Sequence, residues 1–346
     1  MTPESCAAAA GSHPQPAESR LRMPADVAAR LVCPHDGHAP LLARDGVLVC
    51  ADPACARRYP VHDGMPVLIN EQRSMFRLAE FQSPSRTTLD LRPDHLRLPG
   101  LASRIKSWLV ARVPKLSVDS SDFNVDAAIA AIEAARPEPT ILVVGAGDQA
   151  LRAAPGTRLV YSDVAWGALT DLIVDAQDLP FANASFDAYV SVAVLQYLPD
   201  PWRAAQQAHR VLKPDGLVYV VAPFMQQNTL GPHDFFLFTH TGLRRVFNHF
   251  DELRSGVANG PAMALSWSIE QFMTSFSDRR WVRSVLSNLT RLLIWPVKYL
   301  DGVMSRHRGA YDGASAFYFF GRRAEQPVDD RRISNGYRGL KWHAVK

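Results

Sequence analysis

The chain has 346 residues, enough for more than one domain at roughly 100–200 residues each. Hydrophobic residues make up 47% and charged ones 21%, which excludes a disordered polyelectrolyte and suits a folded protein. The formal charge of +4 equals that of Gly321–Lys346 alone, seven basic residues against three acidic (7 − 3 = +4), so the rest is neutral and lacks the basic surface that tracking nucleic-acid phosphates needs.

Residues 1–26 are rich in Ala, Pro and Ser without periodicity and read as a flexible leader. They lack the basic and apolar regions of a secretion signal, and no stretch reaches the ~18 apolar residues of a membrane span, so the default location is cytoplasmic. Residues 27–70 form a loop-rich module with Cys33, Cys50 and Cys55, which in that setting suggest metal ligands or buried thiols before disulfides. Residues 71–136 read as a helical linker or cap, with helices over Leu101–Val113 and Asp126–Ala135 and breaks at Pro93, Pro99 and Pro114.

The α/β signal starts near 137. Thr140–Val144 is a short apolar run of the buried parallel kind, entering Gly145-Ala146-Gly147. Further strands are expected at Arg158–Tyr161, Leu172–Val174, Phe186–Val192 and Leu217–Ala222, with a helix over Pro201–Leu212. Strands alternating with crossovers predict a doubly wound parallel sheet, with ligands at the carboxyl ends of its strands. This core spans 137–257, a helical insertion 258–313, a last core strand 314–323 and a basic flexible tail 324–346. In the insertion Val282, Val285, Leu286, Leu289, Leu292 and Leu293 fall on one helical face. That face reads either as the packed side of a cap helix or, flanked by Arg283, Arg291 and Lys298, as a peripheral membrane contact.

At the site itself, the two glycines allow backbone to approach a ligand without a Cβ in the way. Asp163 ends the second strand, where a carboxylate can accept from ribose hydroxyls, and Asp175 ends the third, near an adenine edge. A dinucleotide site would want a third glycine at Gln149, so a ligand without phosphate fits better.

Asp175-Ala176-Gln177-Asp178-Leu179-Pro180-Phe181, Ser185-Phe186-Asp187, Val194-Leu195-Gln196-Tyr197 and Arg210–Gly216 together resemble the class I S-adenosylmethionine-dependent methyltransferases. The resemblance implies a Rossmann-like sheet that binds S-adenosyl-L-methionine. Gly145, Ala146 and Gly147 would lie along the methionine part, Asp163 would hold the ribose, and Asp175 with Ala176 would meet the adenine. Asp187 and the Lys213–Gly216 turn would be structural. Gln149 for the third glycine, Pro214-Asp215-Gly216 for Pro-Gly-Gly, and a short crossover from Asp163 to Asp175 depart from the family pattern.

The loop Phe224–Leu243 resembles that of bacterial methyltransferases linked to surface-polysaccharide and glycolipid synthesis, through Pro232, Asp234, Phe235, Phe238 and Thr239; Thr229 and Leu237 replace its His and Arg. Gly260-Pro261, Trp295–Asp301 and Ala316–Arg322 extend the similarity. His233 as base and Asp234 as its orienting partner are the candidate catalytic pair, with His240 as substitute and Tyr197 as a pocket residue.

Leu31-Val32-Cys33-Pro34, Leu48-Val49-Cys50, Cys55 and Tyr59–Leu68 resemble the small zinc ribbon that activates several RNA- and protein-modifying methyltransferases. Cys33, Asp36, Cys50 and Cys55 are the candidate ligands of a structural zinc, with His35 and His38 open as alternatives to Asp36. The lead expectation is O-methylation of a sugar, polysaccharide or lipid-linked small acceptor. An RNA or protein methyltransferase and a degenerate scaffold are the alternatives, although nucleic acid fits the neutral body poorly.

Overall fold

The computed structural model of the protein describes residues 21–82, 115–117, 119–147 and 150–340. The expected helix Leu101–Val113 and the position Gln149 lie outside the described residues.

The strands are β1 (Leu41–Arg44), β2 (Val47–Cys50), β3 (Arg58–His62), β4 (Met65–Leu68), β5 (Thr140–Val144), β6 (Arg158–Asp163), β7 (Leu172–Val174), β8 (Phe186–Val192), β9 (Leu212–Pro223), β10 (Phe250–Asn259) and β11 (Ala316–Arg323). They form one sheet in the order β1-β2-β3-β4-β7-β6-β5-β8-β9-β11-β10. From β7 to β9 the pairings are parallel, and β11 runs antiparallel between β9 and β10. All of β5 and β7 and nearly all of β8 are buried, which is why β5 and β7 read as nearly continuous apolar runs rather than alternating ones.

The helices are α1 (Ala25–Ala28), α2 (Val125–Ala135), α3 (Pro201–Val211), α4 (His240–Val246), α5 (Pro261–Thr274), α6 (Arg280–Ile294), α7 (Asp301–Met304), α8 (Ala310–Gly313) and α9 (Asp330–Asn335). Asn124 caps α2 by accepting from the Ala127 N–H, and Asp200 caps α3 ahead of Pro201. The two faces of the sheet hold separate apolar clusters, one around Phe181, Phe186, Phe247 and Phe317, the other around Ile129, Ile141, Tyr219 and Tyr318.

Asp187 and Lys213 are structural, as expected. Lys213 Nζ donates to both Asp187 oxygens at 3.0 and 2.9 Å, and Asp187 also accepts from the Thr140 N–H. The Lys213–Gly216 turn is drawn into the start of β9, with Asp215 at φ 58°.

Three boundaries differ from the sequence reading. The leader does not reach 26: Arg22 N–H donates to Gly64 O, and Met23 and Val27 are buried. The 27–70 module is continuous with the core sheet, because β4 pairs in parallel with β7 through Val67–Ile173 and Leu68–Val174. The basic tail is not free as far as 340. Ile333 is buried in α9, Arg244 donates to its carbonyl, and Arg338 pairs with Glu252. An apolar anchor and a partly buried carboxylate give that segment partners that its composition does not reveal.

In the insertion, Gly260-Pro261 and Asp301 form one device. The Asp301 carboxylate, fully buried, accepts from the Ala262 and Met263 N–H groups and so caps α5. A Cβ on residue 260 would stand 2.3 Å from Asp301 Oδ1, so glycine is required there.

Candidate functional site

At the carboxyl end of β5 the chain turns through Gly145 (φ 74°) and Gly147 (φ 51°), a conformation that favours glycine. Gly145 and Ala146 donate to Ser162 O, and the Gly147 N–H donates to Asp163 Oδ2 at 2.9 Å. The other Asp163 oxygen accepts from the Ala165 N–H at 3.0 Å. A Cβ on Gly147 would meet nothing within 4 Å, whereas one on Gly145 would stand 2.0 Å from Val194 Cγ2. An open glycine after β5 and a carboxylate at the end of β6 thus meet beside the β5–β8 junction, where the strand order reverses. In open α/β sheets, ligands bind in that crevice.

The expected adenine side is different. Asp175 is 2% exposed, and its carboxylate accepts from Ser74 Oγ (2.6 Å), the Gln177 N–H (2.9 Å) and Gln177 Nε2 (3.0 and 3.2 Å). Asn70 donates to Pro34 O and to Asp178, and Arg203 pairs with Asp178. The Asp175–Asp178 turn is therefore a junction that fastens the segment after β4 to the core. Ala176 is buried beside it. The Asp175 carboxylate is thus engaged by the protein itself, at the position where the resemblance implied a contact with adenine. Ser74 was invisible to sequence reasoning because nothing in its neighbourhood marks a partner 101 residues away.

On the acceptor side, no hydrogen bond joins His233 to Asp234 among the described residues. Asp234 instead accepts from the Thr229 and Leu230 N–H groups at 2.9 and 2.7 Å and from Thr229 Oγ1, stapling its own loop. His233 Nδ1 is buried without a partner among the described residues. Tyr197 OH lies 2.6 Å from Thr229 Oγ1 and ties the end of β8 to the same loop. His240 is a core group: buried, it bonds Ser255 Oγ through Nε2 at 2.8 Å and packs on Tyr311 and Phe317. Burial first, then Arg244 and Arg338, push its pKa down to about 3, so it is neutral and no substitute base.

Beside this loop, Gln227, Trp267, Glu270, Arg280, Arg283 and Ser284 line a cavity of about 360 Å³ between the loop and the α5–α6 pair. Trp267 Nε1, Glu270 Oε2 and Gln227 Oε1 are buried there with no hydrogen-bond partner among the described residues. Buried polar atoms without partners are costly. Sequence reading did not single out these three residues.

In the ribbon, Cys33 and Cys55 Sγ, Cys50 Sγ and an Asp36 oxygen all lie within 4.8 Å of one another. The Cys33–Cys55 sulfur separation is 3.8 Å. A tetrahedral zinc with bonds of about 2.3 Å gives a sulfur–sulfur edge of about 3.8 Å, so the donor set fits that ion. Asp36 is the fourth member because the His38 and Ala39 N–H groups fix Oδ1, leaving Oδ2 to accept from Cys50. Burial, then the Asp36 carboxylate, pushes the Cys50 thiol pKa up. Bringing four such groups together without an ion is therefore unfavourable for ionised thiolates. His38 is exposed and contacts Asp36 rather than the cluster's sulfurs.

Residues 149–220 match the family model described as a methyltransferase domain. A stretch of 49 residues is 45% identical to 2-methyl-6-phytyl-1,4-hydroquinone methyltransferase 1, chloroplastic, of Oryza sativa subsp. japonica, covering 14% of this chain and 15% of that protein. Another of 71 residues is 35% identical to 27-O-demethylrifamycin SV methyltransferase of Amycolatopsis mediterranei, covering 20% and 22%. The chain thus spans less than a quarter of the length of either. Among solved structures, the complex of the Haloferax volcanii Trm112 methyltransferase activator with a methyltransferase is similar at 19% identity and a TM-score of 0.36, over 57% of this chain and 90% of that one.

Proposed function

We propose that this chain carries an S-adenosylmethionine-dependent methyltransferase domain and methylates an oxygen of a sugar-containing acceptor, either a glycan or a lipid-linked sugar. The observation that carries the reading is the Gly147–Asp163 contact, at the carboxyl ends of β5 and β6 beside the switch point of the sheet. There an open glycine and a strand-end carboxylate suit the methionine and ribose parts of that cofactor. When bound, the cofactor supplies a methyl group on a sulfonium, and transfer demands alignment more than protein chemistry.

The residues of this chain then have distinct duties. Gly145, Ala146 and Gly147 give a backbone wall, and Asp163 the ribose anchor. Asp175 and Ala176 hold the adenine end indirectly, by fixing the turn after β7. The loop carrying His233 and Asp234 borders the acceptor, with His233 the candidate base and Asp234 the group that sets its loop. The polar lining of the cavity, with Asn228, Gln271 and Ser284, suits sugar hydroxyls, and Arg280 and Arg283 at its edge suit an anionic substituent. Cys33, Asp36, Cys50 and Cys55 would hold a structural zinc, far from any methyl-transfer role.

The engagement of Asp175 by Ser74 favours a second reading, a scaffold that no longer binds the cofactor. The resemblance of the ribbon's sequence to an activator alone supports an RNA or protein methyltransferase. Calorimetric titration with S-adenosylmethionine and S-adenosylhomocysteine separates the first two. Binding that weakens at least about tenfold in Asp163→Ala supports the enzyme, and absence of binding by folded protein overturns it.

A further inference from the structure

Helix α6 is amphipathic the wrong way round for a cap. Trp281, Val285, Leu289 and Leu292 recur at i, i+4, i+8 and i+11, so they share one face, and Leu293 borders it. A helix packed on its own domain buries such a stripe, as the sequence reading allowed. Here Trp281 is 66% exposed and Leu293 71%, and the other three are half or more exposed. The only buried residue of the helix is Thr290. The inward contacts are polar: Ser287 Oγ and Arg291 Nε donate to Glu270 Oε1 of α5 at 2.6 and 2.8 Å, and Glu270 is buried. Water selects the opposite arrangement.

The neighbours continue the pattern. Leu265 and Phe272 of α5 and Phe276 just after it are exposed, the two phenylalanine rings meeting edge to face at 5.2 Å, and Tyr299, Leu300 and Val303 are exposed after α6. Single exposed leucines are ordinary, but an assembly of this size marks a surface that meets something apolar.

Charge identifies the occupant. Residues 258–313 hold seven basic side chains against four acidic ones (7 − 4 = +3). Three of the four acids are committed: Glu270 to Arg291, Asp301 to the α5 cap, and Asp312 to Tyr337. Lys298, expected at the rim, is buried and donates to Lys115 O. Arg279, Arg280 and Arg283 are exposed at the start of α6, around Trp281, with Asp278 as the one exposed acid nearby. An aliphatic stripe with aromatic neighbours and an arginine cluster is the pattern of a helix lying in the headgroup plane of an anionic bilayer. No helix among the described residues is long and apolar enough to cross one. A symmetric pairing of two copies through this face would risk setting the arginine clusters against each other.

We propose that the α5–α6 pair docks this protein on an anionic lipid surface, with the apolar stripe of α6 immersed at the headgroup boundary. The proposal is independent of the methyltransferase reading, since it needs no cofactor.

The test is flotation of the full chain with phosphatidylcholine vesicles, with and without phosphatidylglycerol, alongside analytical ultracentrifugation. Wild type should bind the anionic vesicles at least about tenfold better than the neutral ones and lose most binding in high salt. Leu289→Ser with Leu293→Ser should abolish flotation and leave the melting temperature in solution unchanged, because both side chains are already in water. Failure of the wild type to float overturns the proposal, as does unchanged flotation of the variant. A wild-type dimer that the same substitutions dissociate, without vesicle binding, overturns it in favour of a second copy.

Discussion

Ser74 Oγ donates to Asp175 Oδ2 at 2.6 Å, linking the segment that leaves the ribbon to the end of β7 across 101 residues of chain. Asp175 is buried, so each donor it keeps offsets the cost of desolvating a carboxylate. Ser74→Ala removes one and lets no water in. We expect a loss of about 1–3 kcal/mol, measured as a lower urea midpoint at constant slope. An unchanged midpoint would mean that Gln177 alone satisfies the group.

Gly145 is constrained twice, by φ 74° and by Val194 Cγ2 lying where a Cβ would go. Gly145→Ala should cost about 2 kcal/mol or more, from backbone strain plus overpacking against a stiff β-branched side chain. Adding Val194→Ala should recover the overpacking part and leave the backbone part. If the two substitutions are additive in a double-mutant cycle, the contact is not what holds the glycine.

His240 donates through Nε2 to Ser255 Oγ, whose own proton goes to Glu252 Oε1 at 2.7 Å, so the ring is the neutral Nε2–H tautomer. Burial opposes it, but the Ser255 hydroxyl, Arg244 and Arg338 keep the Glu252 carboxyl pKa below its ordinary value. With a folded pKa of about 3 and an unfolded one near 6.5, the unfolded chain binds the extra proton between those values. The stabilisation is therefore complete above pH ~6.5 and is lost as pH falls toward 3, by at most about 1.4 kcal/mol per pH unit. Wild type should lose about 2 kcal/mol more than His240→Gln between pH 7 and pH 5 in denaturant titrations. Parallel curves would remove His240 from the account.

The Cys33, Asp36, Cys50 and Cys55 cluster predicts one zinc per chain by elemental analysis. Chelation should lower the melting temperature, and Cys50→Ser should abolish zinc retention. Asp36→Ala should weaken retention while the three thiolates still bind. Purified folded protein without metal, and indifferent to chelator, would make the ribbon a metal-free one, with Cys33 bonded to Tyr59 OH as it is at 3.2 Å.

Local patterns carried a good part of this. The apolar runs at Thr140–Val144 and Leu172–Val174 are strands buried on both faces, as central parallel strands are, and that property is written in consecutive residues. The positions of Asp163 and Asp175 were legible because both follow from where a strand ends. What each carboxylate meets within the protein was not, since that depends on what folds over it. His233 and Asp234 are adjacent in sequence, but Asp234 staples its own loop while His233 Nδ1 has no partner among the described residues.

By itself the sequence determined the doubly wound core, its glycine turn and the residue types of the ribbon's cysteine cluster, because each depends on periodicity or on the chemistry of single residues. Only the tertiary structure decided that Asp36 completes the ribbon cluster, that Ser74 covers Asp175, and that α6 turns its apolar stripe outward. Those outcomes depend on which surfaces meet: hydrophobic spacing defines a face on a helix, and the packing of Ser287 and Arg291 against buried Glu270 decides where that face points.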